Sequence, residues 1–167
     1  MKVLYLLRHA KSSWDDPGLS DFDRPLARRG IDATAAIADH MREGGIAPEL
    51  VLCSPAVRAK QTLEGLGDAV ASAQVDFDRD LYDATESDLL AAVHRVASDV
   101  ASVLLVGHNP SIQRLALSLC EEGNRLDDLR AKYPTAALAT LSIDVPEWHR
   151  VGMGDAELTD FVKPKEL

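Results

Sequence analysis

Three short segments of the sequence combine histidine or arginine with residues that begin or interrupt regular structure. They are Arg8-His9-Ala10, Ser54-Pro55 followed by Arg58, and Gly107-His108-Asn109-Pro110. An imidazole whose reacting nitrogen is unprotonated can attack phosphorus, and its other ring nitrogen is ordinarily held by a hydrogen bond that fixes the tautomer. Arginine offers a permanently charged fork of donors that matches phosphoryl oxygens. A lone histidine is usually a packed or solvated side chain. Two arginines and two histidines brought together would instead form an anion pocket in which one histidine, His9, becomes a covalent phosphohistidine.

For these segments to meet, each must lie at the same end of a sheet. Apolar, β-branched runs at residues 2–7, 50–53 and 102–107 read as strands, and each is followed within a few residues by a stretch of helical character. That alternation predicts βα units on a mostly parallel sheet with helices on both faces, a three-layer α/β domain. Ligands bind such sheets outside the carboxyl ends of the strands, where helix N-termini also favour an anion.

Other elements follow from local signals. Leu26, Ile37 and Met41 give one stripe of a helix over 27–43, which Gly44-Gly45 stops. Ser54-Pro55 and Asn109-Pro110 each read as an N-cap with proline in the first helical position, opening helices to about residues 65 and 121. Thr85 and Asp88 resemble a capping box for a helix to about residue 98. Strands are expected at 75–78 and 136–144, and a further strand or hairpin at the sheet edge within 148–161. The connection from residue 11 to residue 26 is long and heavily charged, which marks it as functional or mobile.

The chain has 167 residues, 46% hydrophobic and 27% charged, the mixture of one globular domain that buries a core without disulfides or metals. The N-terminal apolar run is too short for a signal-peptide core or a membrane span, so no membrane association and a cytoplasmic location are expected. Cys53 and Cys120 lack ligand spacing and read as buried thiols, with neither disulfide nor zinc expected. A net charge of −9 argues against nucleic acid as partner. Nothing in the residue pattern bears on oligomeric state.

The three segments resemble the motifs of the histidine phosphatase superfamily. Leu7-Arg8-His9-Ala10 is similar to its Arg-His-Gly signature, and Ser54-Pro55-x-x-Arg58-Ala59-x-Gln61-Thr62 and Val106-Gly107-His108-Asn109 to its later motifs, in order, across residues 3 to 115. Arg8 to Trp14 together with Asp21-x-Asp23-Arg24-Pro25-Leu26-x-x-Arg29-Gly30 most resemble the SixA-type phosphohistidine phosphatase branch. The resemblance implies a phosphoglycerate mutase-like fold and no cofactor. It also implies that His9 accepts the phosphoryl group, that Arg8 and Arg58 bind its oxygens, and that a charged His108 stabilises the transferring group.

The sequence departs from the family pattern in three places. Ala10 replaces a glycine, and Asp15 stands where mutase-like members place an asparagine, so its carboxylate is expected to point away from phosphate. Leu81-Tyr82-Asp83 offers Asp83 where relatives carry a glutamate as general acid. Aspartate is one methylene shorter, so Asp83 reads equally as an acid or as part of a turn. An alkoxide leaves poorly without an acid, whereas an imidazole leaves readily, so a weak acid suits phosphohistidine substrates.

At the pocket rim, Lys11, Ser12 and Ser13 are donors of types usually just solvated, with Ser12 the best of them as a phosphate ligand. Asp21, Asp23, Arg24 and Arg29 read as an ion-pair network that fixes the loop. Trp14 fits either a partner contact or a loop anchor. His40, His94 and His149 read as packed or solvated.

Three functions fit this pattern. The leading one is a phosphatase that takes phosphohistidine in a partner protein as substrate. The others are a phosphomonoesterase acting on a small phosphate ester and a phosphate-binding module without turnover. A histidine metal site is disfavoured, because the available histidines sit beside arginines or a helix N-terminus.

Overall fold

The computed structural model describes residues Met1–Leu167. Seven strands, β1 (Lys2–Arg8), β2 (Leu50–Cys53), β3 (Gln74–Phe77), β4 (Ser102–Gly107), β5 (Cys120–Gly123), β6 (Leu138–Ile143) and β7 (Ala156–Val162), form one sheet in the order β3-β2-β4-β1-β6-β7-β5. Only β6 runs against the others, being antiparallel to both β1 and β7. The fold is therefore the expected single α/β domain with a mostly parallel sheet.

Side chains that alternate along each strand divide the core into two layers. Leu4, Leu6, Val103 and Leu105 face one side, where they meet α3 (Glu86–His94), α4 (Ser111–Leu119) and α5 (Leu126–Ala131). Leu7, Val51, Leu104 and Val106 face the other, against α1 (Arg28–Glu43) and α2 (Val57–Gly65). Strands buried on both faces read as continuous apolar runs, which is why β1, β2 and β4 were visible in the sequence. Cys53 and Cys120 are free and buried, and burial pushes both thiols up to about 12.

Local signals held where the side chains themselves do the capping. Thr85 and Asp88 form the reciprocal box that opens α3, which ends at His94 rather than near residue 98. Both helices marked by proline begin later than the sequence pattern predicts. The α2 helix begins at Val57 after an extended Ala56, and the Ser54 hydroxyl accepts from the Ala56 N–H instead of capping the helix. The α4 helix begins at Ser111, although the Asn109 side-chain oxygen does accept from the Gln113 N–H.

Helix α4 also ends before residue 121, because Cys120–Gly123 leaves it to become the edge strand β5. As a result β7 lies inside the sheet between β6 and β5, not at its edge.

Candidate active site

The three motif segments meet because β2, β4 and β1 are neighbours and end level with one another. Arg8 pairs with Gly107 and Cys53 with Val106, so the next residues, His9, Ser54 and His108, leave the sheet side by side. Backbone bonds fix their exit: the His9 N–H donates to the Gly107 carbonyl at 2.9 Å and the Ser54 N–H to that of Val106 at 3.0 Å. His9, Arg58 and His108 are each 7–8% exposed, and the His9 and His108 rings lie 5.0 Å apart.

The tautomer of His9 follows from one contact. Its Nδ1 is 2.7 Å from the Ala10 carbonyl, which can only accept, so Nδ1 carries the proton and Nε2 presents its lone pair. Burial, aided by the positive charges of Arg58 and Arg8, pushes the His9 pKa down to about 3. The ring is thus neutral at physiological pH.

His108 is likewise pushed down to about 4, chiefly by burial and then by Arg58, and its Nε2 lies 2.8 Å from the Ser54 hydroxyl. The free site therefore holds a neutral His108 where the sequence suggested a charged one. Ser54, fully buried and part of the second motif segment, thus contacts His108 rather than serving as the expected helix cap.

The arginines have donors to spare. Arg8 Nη1 donates to the Tyr133 carbonyl at 2.8 Å, while its Nε is buried without a partner, an orphan that an anion would satisfy. The rest of the Arg-Ala-x-Gln-Thr motif fixes α2 in place. The Thr62 hydroxyl accepts from the Ala10 N–H at 2.9 Å and donates to the Arg58 carbonyl at 2.7 Å, and the Gln61 amide oxygen accepts from the Leu26 N–H at 2.8 Å.

Asp21, read from the sequence as part of a surface network, belongs to the site. Its backbone carbonyl accepts from Arg58 Nη1 at 2.6 Å, and its carboxylate accepts from Arg58 Nη2 at 3.0 Å and from the Tyr82 hydroxyl at 2.7 Å. The Tyr82 hydrogen bond, and after it Arg58, hold Asp21 at about 2.

The loop over residues 11–26 is tied down by buried Arg24. That side chain donates to the Ser13 carbonyl, the Ser12 hydroxyl and Asp21, and stacks 3.2 Å over the Trp14 ring. Gly30 allows the close approach at its base, since a Cβ there would sit 2.2 Å from the Lys11 carbonyl oxygen.

A cavity of about 150 Å³ beside His108 is lined by Asp21, Arg58, Tyr82, Asp83 and the start of α4. Asp83 thus stands with the charged cluster, exposed, in the left-handed region at φ 54°. Arg8, His9 and Ser12 lie outside the lining of this cavity, and the Ser12 hydroxyl is turned to Arg24. Asp15 is exposed and away from the cavity, and Arg29 is exposed without an ion pair, outside the network expected for it. His94 is bound to the Val151 carbonyl at 2.7 Å, and His40 and His149 face Asp160 and Glu147, all remote from His9.

Comparison with known proteins bears on this arrangement. The family model of the histidine phosphatase superfamily (branch 1) matches residues 4–89. The chain belongs to that superfamily.

It is 30% identical over 146 residues to the phosphohistidine phosphatase SixA of Escherichia coli K12, across 84% of this chain and 85% of that protein. A structure from Nakamurella multipartitia, described as a candidate SixA phosphohistidine phosphatase, superposes with a TM-score of 0.86 at 32% identity, covering 98% and 96% of the two chains. The protein histidine phosphatase SixA complexed with tungstate superposes at 0.77 and 25% identity, with 98% of each chain covered. The chain is a phosphatase of this SixA-like kind with a phosphoglycerate mutase-like fold. No helix is long and apolar enough to cross a membrane.

Proposed function

We propose that residues 1–167 act as one histidine phosphatase domain that removes the phosphoryl group from phosphohistidine in a partner protein, through a phosphohistidine formed on His9. The observation that carries this reading is the hydrogen bond from His9 Nδ1–H to the Ala10 carbonyl, which leaves Nε2 unprotonated in a site that feels the charges of Arg58 and Arg8.

Nε2 attacks phosphorus, and the bond from phosphorus to the leaving imidazole nitrogen breaks. Arg8 and Arg58 hold the equatorial oxygens as charge spreads over them. His108 is the remaining donor. A bound phosphoryl dianion opposes the effect of burial and of Arg58, which raises the His108 pKa and draws a proton onto its ring. Water then attacks phospho-His9, inorganic phosphate leaves, and Nε2 is restored.

Asp83 is the one carboxyl group at the cavity without a hydrogen-bond partner, and we assign it the role of general acid for leaving groups that need one. Ser12 we assign to the loop clamp, because Arg24 holds it. No step draws on a metal or an organic cofactor. The tungstate on a SixA relative supports an oxyanion pocket of this kind.

The second reading is hydrolysis of a small phosphate ester, favoured by the presence of Asp83 at the cavity. Phosphate release from a phosphohistidine-bearing protein, measured beside sugar and nucleotide monophosphates with a chelator present, separates the two. Release from phosphohistidine that disappears in His9→Ala is the expected result. Strong turnover of one ester alone would replace the substrate assignment.

A further inference from the structure

The chain carries 27 acidic against 18 basic residues, yet one cleft inverts that balance. A cleft of about 410 Å³ is lined by Lys11, Arg29, Lys163 and Lys165 around Thr135, with Asp32 its one carboxylate. Lys163 is paired to Asp128 at 2.9 Å, and exposed Asp32 faces Arg28 at 3.4 Å. Nearby Glu166 is taken up by Arg125. Lys11, Arg29 and Lys165 are exposed and make no ion pair within the chain.

The cleft lies at the same end of the sheet as His9, where β1 and β7 finish. Lys11 lies two residues past His9, so their Cα atoms are within about 8 Å. Ala136, next to Thr135, donates its N–H to the carbonyls of Arg8 and His9 at 3.0 and 3.1 Å. Helix α1 follows the carboxyl end of β1, and Lys163 and Lys165 follow the carboxyl end of β7, which runs parallel to β1 through the reversal at β6.

The charge here also works against stability. Helix α1 starts with Arg28 and Arg29, has no capping side chain and has no acidic residue in its first turn. Cations there oppose the helix dipole, and open N–H groups with fixed positive charge favour an anionic ligand. Three residues along the loop from Lys11, Trp14 is 71% exposed yet held by the stacked guanidinium of Arg24. A rigid, exposed tryptophan is the kind of side chain that anchors protein partners.

We infer that this cleft is a docking site for an acidic segment of the phosphoprotein substrate, lying beside the phosphohistidine. The inference rests on the reading that such a protein is the substrate. Acidic protein is favoured over nucleic acid because the cationic stretch is confined to one cleft on a chain whose net charge of −9 repels a long polyanion.

The test compares two substrates on wild type and on Arg29→Glu/Lys165→Glu: a phosphotransfer domain with acidic residues around its phosphohistidine, and free phosphohistidine. On the acidic protein the double variant should lose about tenfold or more in kcat/KM through KM, and the wild-type rate should fall by a similar factor between about 0.05 M and 0.5 M salt. Free phosphohistidine should be turned over equally by both enzymes.

Equal turnover of the acidic protein, or parallel losses on both substrates, overturns the docking site alone. A loss seen instead only on a small ester bearing several negative charges assigns the cleft to a metabolite and overturns it too. Wild type that leaves both phosphohistidine substrates intact overturns the functional reading and, with it, this inference.

Discussion

The floor and the rim of the proposed phosphoryl pocket are held by different means. On the floor, Arg8, His9 and His108 ride on the ends of adjacent parallel strands, their positions following from the register Arg8 to Gly107 and Cys53 to Val106, and buried Arg58 joins them from the first turn of α2. On the rim, Asp21, Tyr82 and Asp83 come from connecting segments, and Arg58 and Tyr82 converge on one carboxylate oxygen of Asp21. Floor geometry cannot shift without breaking the sheet, whereas the rim can change one contact at a time. In the proposed mechanism the chemistry therefore belongs to the fold, and the choice of leaving group to the loops.

The largest expected effect is on the floor. His9→Ala should lower kcat by about 10⁴-fold or more, because it removes the attacking nitrogen and the neutral Nε2 of His108 is held at the Ser54 hydroxyl. Arg58→Ala should cost about 10³-fold, as expected when one preorganised donor is removed from a transition state. Steady-state rates on phosphohistidine measure both. A variant of either residue that kept most of its activity would erase the distinction between floor and rim.

Rim changes should be smaller and more selective. Asp21→Ala frees both Arg58 and Tyr82, and kcat should fall by about tenfold, with Asp21→Asn losing less because it keeps an acceptor. Equal losses in the two variants would show that the Asp21 charge matters rather than its hydrogen bonds. Asp83→Asn should lower hydrolysis of alkyl phosphates by about tenfold or more while phosphohistidine turnover changes little, since an imidazole leaves without help. Equal losses on both substrates would remove Asp83 from the acid role.

The smallest effect concerns pH. His9 is held neutral with its pKa near 3, against an ordinary value of 6.5. The unfolded chain therefore takes up a proton that the folded chain refuses, and this contribution to stability is complete above about pH 6.5 and declines as the pH falls toward 3. Denaturant midpoints of His9→Gln should consequently fall less than those of wild type between about pH 6.5 and 4. Identical acid profiles would mean that His9 is protonated in the folded enzyme. Activity on an acid-stable ester should likewise show no loss from His9 protonation down to about pH 5.

The floor was legible in the sequence because rare residue types stood at the ends of apolar runs, and a parallel sheet brings such ends together. Asp21 was not legible. Asp21, Asp23 and Arg24 alternate in sign and read as a solvated network, and only the folded loop shows both the carbonyl and the carboxylate of Asp21 on Arg58. Ser-Pro is a common cap sequence and predicts that role for Ser54, whereas the fold gives its hydroxyl to His108 and the Ala56 N–H. Strand β5 escaped notice because Cys120-Glu121-Glu122-Gly123 is short and polar and has one exposed edge.

The basic cleft was hidden for a similar reason, since Lys11, Arg29, Lys163 and Lys165 are scattered along the chain and only the folded domain gathers them.

The central claim is that the phosphoryl group passes through His9. Rapid acid-free quenching of wild type during turnover of a phosphohistidine protein, followed by mass spectrometry of the peptide carrying residues 8–11, tests it directly. The account predicts an alkali-stable phosphoryl group on His9 that forms within one turnover and decays as inorganic phosphate appears. Turnover at the full rate with no phosphate on His9, or with phosphate on another residue, would contradict it.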